Sequence, residues 1–275
     1  MEDRNTIVFI HIPKTAGTTF HYILHNQYKG KKILTRESFK NKAVYDQMTD
    51  NEKRELKVIK GHYKTGIHEK HPNQVTYITF LRDPVKRTIS EYNFMLLNRE
   101  HPFHQTLMEK KLGLKELLKE GHIKNLDNSH TRFLAGVDDL VFGDVNEQTY
   151  QTALKNFDKF FGIFGIAERF DESLICIKRK LNWSFPFYVK ANISDREAYV
   201  DQFDDETQML LSRFNQYDQL LYEHACRKFD QIVTGYGNDF QEELKTFRRW
   251  NNIQSPFRRL VRSVWLTLRK LTTRN

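Results

Sequence analysis

Directly after Pro13 the chain places one amine, three hydroxyls and two small residues in a row: Lys14, Thr15, Ala16, Gly17, Thr18 and Thr19. Residues of these types can hold an anion. Gly17 lets a backbone come close, the first N–H groups of a following helix favour negative charge, and Lys14 supplies a point charge where a bridging or leaving oxygen would sit. Two further sets stand downstream. His62 follows Lys60-Gly61, and an imidazole with an ordinary pKa of about 6.5 is suited to taking a proton near neutral pH. Arg82 and Ser90 combine a guanidinium with a hydroxyl, a pair fitted to holding a second phosphate.

The elements that must position these residues can be read from the same segments. Ile7, Val8, Phe9, Ile10 and Ile12 make a short apolar run rich in β-branched residues, the pattern of a strand buried on both faces of a parallel sheet. The strand should end near His11. Pro13 has no N–H for the ladder, and an apolar helical pattern (Phe20, Ile23, Leu24) begins after the small-residue turn, giving a helix over roughly Thr18 to Tyr28. Strand, small-residue turn and helix together make a phosphate cradle. In the Walker A loop, G-x-x-x-x-G-K-[ST], the lysine follows the glycines; here Lys14 precedes Gly17 and the first glycine is absent, which disfavours an ordinary Mg-ATP site. Taken alone, the segment would also fit a buried strand and a capped helix with a solvated lysine.

Further strands are expected at Lys57 to Lys60, Val75 to Leu81 and Phe160 to Ile166, alternating with helices, among them a short one around Asp50 to Leu56. His62 and Arg82 each fall just past a strand end, where ligands bind in open α/β sheets. Asp83 and Pro84 suit a cap and first turn for the helix that carries Ser90. Asn128 to Gly136 opens another short helix, Asp171 is expected to cap a helix ending near Leu181, and Asp204 to Cys226 forms the last long helices of the body. His68 and His71 lie in a polar loop without the cluster a zinc site needs. The fold class expected is a three-layer α/β/α with a mostly parallel central sheet, related to P-loop proteins.

The 275 residues carry a formal charge of +9, and its distribution says more than its total. Lys245, Arg248, Arg249, Arg258, Arg259, Arg262, Arg269, Lys270 and Arg274 give the stretch 244–275 nine basic residues and no acidic one, which leaves residues 1–243 without net charge. We therefore expect a neutral body, 1–243, and a basic tail, 244–275. Within the tail Phe257, Leu260, Val261, Val264, Trp265, Leu268 and Leu271 recur at helical spacing between the basic residues, with Pro256 in the first turn. This amphipathic helix over 256–271 suits an anionic membrane surface, packing on the body, or an anionic glycan. Cys176 and Cys226 sit in helical patterns and read as free thiols. With Met1 leading straight into the first strand and no apolar run long enough to span a bilayer, the expectation is a cytoplasmic protein, peripheral on the membrane if the tail binds there. Nucleic acid is not an expected partner, because the charge is confined to one stretch.

The segments IPKTAGTT, after the first strand, and FLRDPVKRTISEY, after a later one, stand about 65 residues apart. Together they resemble the two nucleotide signatures of the family 2 sulfotransferases, the group that includes the heparan sulfate 2-O-sulfotransferases. The resemblance covers roughly the first 180 to 200 residues. It implies 3′-phosphoadenosine 5′-phosphosulfate (PAPS) as sulfuryl donor, no metal, and a hydroxyl acceptor on a saccharide or glycolipid. It places Pro13, Lys14, Thr15, Ala16, Gly17, Thr18 and Thr19 at the 5′-phosphosulfate and Arg82 and Ser90 at the 3′-phosphate. It makes Lys14 and His62 catalytic, with His62 removing the acceptor's proton; where those enzymes carry another histidine two places earlier, this chain has Lys60. By looser similarity Arg132 lines the acceptor cleft and the Lys190 to Ser194 loop closes over the cofactor. Sulfuryl transfer needs in-line placement and charge stabilisation more than covalent help, so such a cradle can serve without Mg²⁺. The rivals are a P-loop kinase or other phosphotransferase and a non-catalytic nucleic-acid-binding protein.

Overall fold

A computed structural model describes residues 5–36, 42–189 and 203–253. Its centre is a five-stranded sheet in the order β2-β3-β1-β4-β5, every neighbouring pair parallel. The strands are β1 (Asn5–Ile10), β2 (Lys32–Arg36), β3 (Leu56–Gly61), β4 (Gln74–Leu81) and β5 (Ile163–Ile166). Ile7, Val8, Phe9 and Ile10 are all buried, which is why this strand reads as continuous apolar sequence rather than as an alternation.

The helices are α1 (Gly17–Gln27), α2 (Lys42–Gln47), α3 (Asp50–Arg54), α4 (Pro84–Leu97), α5 (His104–Lys110), α6 (Leu114–Glu120), α7 (Ser129–Ala135), α8 (Glu147–Phe160), α9 (Phe170–Leu181), α10 (Asp205–Phe214) and α11 (Gln216–Gly235). A further helix occupies 238–253. The main core joins the sheet to α1, α8, α9, α11 and this last helix. A second apolar cluster lies on the far side of α4, built from Ile89, Met95, Leu107, Leu114, Leu117, Leu118, Ile123, Leu126 and Leu211. Helix α4 begins as its sequence indicates, with Pro84 in the first turn and the Asp83 carboxylate accepting the Lys86 N–H at 2.8 Å.

Four elements differ from the sequence expectation. The strand β2 is additional to the expected set; its sequence KILTR is edged with charge, as suits an edge strand that must not recruit another chain. The strand β5 starts at Ile163 rather than Phe160, because the preceding aromatics close α8, whose Phe157 is buried together with Phe161. Asp171 does not cap α9. It lies in the first turn, where its carboxylate accepts from Tyr188 Oη at 2.7 Å and pairs with Arg248. The last helices break at Asn215 and continue to Gly235.

The helix over 238–253 passes through position 244 without interruption, and Phe240, Leu244 and Phe247 are buried in the main core. The amphipathic pattern over 256–271 and the loop Lys190 to Ser194 lie outside the described residues. Among the described residues no helix is long and apolar enough to cross a membrane. Cys176 and Cys226 are both free thiols, as expected.

Candidate active site

The strand order reverses direction beside β1. The chain first builds β3 and β2 on one side, then crosses to β4 and β5 on the other, so the crevice at the carboxyl ends of β1, β3 and β4 is the switch point where α/β sheets bind ligands. Register brings these ends level, Ile10 facing Gly61 on one side and Thr79 on the other. The residues that follow each strand therefore converge.

After β1 the chain makes the turn Pro13 to Ala16 before α1. Lys14 (φ 67°) and Ala16 (φ 66°) both adopt the left-handed conformation, and Thr15 between them does not. Each left-handed non-glycine residue costs about 1–2 kcal/mol, so the surroundings hold the loop in a shape the chain would not take alone. Such alternation turns successive N–H groups toward one side, the geometry of a backbone anion nest. The helix behind it has no side-chain cap on its N-terminal N–H groups. The Thr15 hydroxyl donates to the Ile12 carbonyl at 2.9 Å, locking the turn from within. From the end of β4 the Arg82 guanidinium donates to the Lys14 carbonyl at 3.0 Å and stands 3.9 Å from Glu168.

The Lys14 ammonium lies over the Phe94 ring, 4.2 Å from its centroid. Burial lowers its pKa, partly offset by Glu91, with Arg82 and Arg87 adding to the lowering. Glu91 and Arg87 are themselves buried in α4. The lysine thus stands beside the nest between the Glu91 carboxylate and the guanidinium groups of Arg82 and Arg87.

On the β3 side, His62 Nδ1 is 2.7 Å from the His11 carbonyl and donates to it, which leaves the acceptor lone pair of the neutral ring on Nε2. The His11 and His62 rings stack at 4.6 Å and 23°. Behind them His21 Nε2 is 3.1 Å from His11 Nδ1, and Lys60 Nζ donates to the His21 carbonyl at 3.0 Å. Burial holds the His11 pKa well below 6.5, helped by His62, His21 and Lys14, and burial with Lys60 and His62 lowers His21 to about 3. His62, with its free lone pair on Nε2, therefore lies against the turn that carries Lys14, backed by two imidazoles that burial keeps neutral.

The family model described as galactose-3-O-sulfotransferase matches residues 1–255. The chain belongs to the galactose-3-O-sulfotransferase family. It is 26% identical over 273 residues to galactosylceramide sulfotransferase from Bos taurus, a match covering 91% of this chain and 63% of the relative. It is 25% identical over 283 residues to heparan-sulfate 6-O-sulfotransferase 3 from Mus musculus, covering 84% of this chain and 59% of the relative. The chain thus spans about six-tenths of the length of these curated relatives. The resemblance read from the motifs holds at the level of sulfotransferases, whereas the 2-O-sulfotransferase group is not the one these matches name.

Within this sulfotransferase fold Pro13 to Thr19 make the nest and the start of α1, Lys14 stands beside it, and Arg82 and His62 face the same crevice. Thr18 is exposed, and Ser90 lies half-buried on α4, one turn before Phe94. Arg132 is a correction. It is 3% exposed, and its Nε, Nη1 and Nη2 donate to the carbonyls of Asp127, Leu140 and Val141 and to the Asp127 carboxylate, so it clamps the 137–143 loop rather than lining a cleft. Lys190 lies outside the described residues. The motifs do not single out His11, His21 or Phe94. A signal for the two histidines lies in spacing: His11 shares a strand face with Phe9, and His21 shares a helix face with Gly17 four residues earlier.

Proposed function

We propose that this chain transfers a sulfuryl group from PAPS to a hydroxyl of a saccharide or glycolipid, with His62 as the base and Lys14 as the residue that meets the charge of the departing group. The observation that carries the reading is the left-handed nest at Lys14 and Ala16 placed in one crevice with a histidine whose Nδ1 is committed to a backbone carbonyl. The donor set fits the group: the nest and the uncapped start of α1 suit the 5′-phosphosulfate, and Arg82 with Ser90 suits the 3′-phosphate. PAPS, when bound, supplies the sulfuryl group on a 3′,5′-ADP leaving group.

The chain's own residues do the rest. His62 accepts the acceptor's hydroxyl proton at Nε2, and its Nδ1–H stays on the His11 carbonyl so that the ring keeps its direction. Lys14 and the nest stabilise the negative charge that develops on the leaving oxygen, and they do so without reorganising, because the loop is already held. A galactose or other sugar hydroxyl is the acceptor favoured by the family description and by the glycolipid and heparan sulfate named for the relatives. The PAPS reading is tested by thermal denaturation with 3′,5′-ADP, 5′-AMP and ATP plus Mg²⁺. A ligand at about 100 times its dissociation constant stabilises a fold by roughly 2.7 kcal/mol. Stabilisation by 3′,5′-ADP alone, lost in Arg82→Ala, is expected; stabilisation by ATP with Mg²⁺ instead would move the chain to the phosphotransferases.

A further inference from the structure

The histidine before the cradle touches both halves of the site. His11 sits in the turn between β1 and Lys14. Its carbonyl takes the His62 Nδ1 proton at 2.7 Å, and its ring lies stacked on the His62 ring at 4.6 Å and 23°. These two contacts constrain different motions. One hydrogen bond leaves an imidazole able to pivot about it, because the outer torsion of a histidine is broad; a ring lying flat against it removes that freedom.

His11 is itself held from three other directions. Phe9, on the same strand face, stacks on it at 5.6 Å and 13°, and His21 of α1 meets it edge-on at 4.9 Å with the two nitrogens 3.1 Å apart. The α-carbon of Gly17 closes the remaining side. A Cβ added there would stand 1.9 Å from the His11 ring, so the cradle's glycine is also what makes room for this imidazole. Besides burial, His62, His21 and Lys14 all act on His11 to keep it neutral, and Lys60 and His62 act the same way on His21. A neutral His11 is what this setting needs, since a second cation against His62 would oppose the proton that His62 must take up.

We infer that His11 is a positioning residue for His62: its carbonyl fixes the proton of the His62 ring on Nδ1, its stacked imidazole fixes the ring plane, and His21 and Gly17 hold it in place. The inference rests on the reading of His62 as the base, and its test separates the two.

Three full-length variants decide it. His11→Leu fills much the same space without a ring, His11→Phe keeps a ring that can stack, and His62→Ala removes the base. All retain the backbone carbonyl at position 11. Turnover and KM for both substrates are measured alongside ¹⁵N spectra of the histidine side chains, which report the Nδ1–H form of His62 directly. His11→Leu is expected to lower kcat about tenfold or more with both KM values within about twofold, since misplacing a reacting group acts on the chemical step. Without the stacked ring, His62 is free to pivot off the retained carbonyl, so its Nδ1–H form should be depleted in the same variant, and His11→Phe should recover most of both signals. A lost activity with unchanged ring spectra, or His11→Leu turning over at the wild-type rate while His62→Ala is inactive, would overturn the inference. If His62→Ala itself keeps its turnover, the base assignment fails instead, and the ¹⁵N spectra alone then decide whether His11 holds the ring.

Discussion

Two polar regions of this molecule use similar residue types to opposite ends. At the ends of β1, β3 and β4 stand Lys14, Arg82, His11 and His62; between α4, α7 and α11 stand Arg132, Asp127, Asn128 and Asp218. In the second region the groups answer one another. The Asp218 carboxylate accepts the N–H groups of His130 and Thr131 at 2.8 and 2.7 Å, so α11 caps the start of α7. Asn128 Oδ1 returns the favour by accepting the N–H groups of Tyr217 and Asp218 at 3.0 and 3.1 Å. In the first region the backbone is held left-handed at Lys14 and Ala16, the helix start has no side-chain cap, and the lysine rests on an aromatic face. A buried polar cluster whose carboxylates, guanidinium and amide are answered by the chain itself builds the fold. One that is strained and turned toward a crevice is arranged for a ligand.

The contrast predicts different consequences for similar substitutions. The largest effect should come from Lys14→Ala: a loss of turnover of about a thousandfold, or ~4 kcal/mol of barrier, with the melting temperature little changed, read by steady-state kinetics beside calorimetry. Arg132→Ala should do the reverse, costing about 3 kcal/mol of stability while the properly folded fraction turns over normally. The low end of the range for breaking a buried pair applies, because the stranded Asp127 carboxylate keeps the Gly143 N–H at 2.9 Å and the Asn128 amide at 2.8 Å. Urea denaturation of this variant decides the point, and a cost below about 1 kcal/mol would remove the clamp from the account.

A smaller effect should appear with pH. His130, fully buried beside Asp218, has its pKa lowered by burial to about 4. Unfolded, it takes its proton near 6.5, so the unfolded state binds more protons between these values. This contribution to stability is complete above about pH 6.5 and declines as the pH falls toward 4, which urea titrations at several pH values would show. The smallest effect belongs to the surface: Glu242→Ala removes an exposed i,i+3 pair with Lys245 and should shift stability by no more than about 0.5 kcal/mol.

The two regions also differ in how far their residues announce themselves in the amino-acid sequence. The parallel sheet is legible there because β1 is apolar throughout, and the cradle because Pro13 ends a strand that small residues follow. The strand β2 is not, since an edge strand carrying Lys32 and Arg36 looks like loop. His62 can be placed past a strand end, but its partner His11 cannot, because the contact joins residues from two strands that meet only through the sheet register. Arg132 is the converse case: looser similarity to a family puts its guanidinium at a cleft, and only the path of the 137–143 loop shows that carbonyls of the chain itself take its N–H groups.

The most direct measurement is transfer of labelled sulfate from PAPS to galactose-terminated oligosaccharides and glycolipids by the wild type, Lys14→Ala and His62→Ala. The expected result is a sulfate ester on a sugar hydroxyl with the wild type alone, both variants remaining folded. Transfer at undiminished rate in either variant, or phosphoryl transfer from ATP and Mg²⁺ in place of sulfuryl transfer, would contradict it.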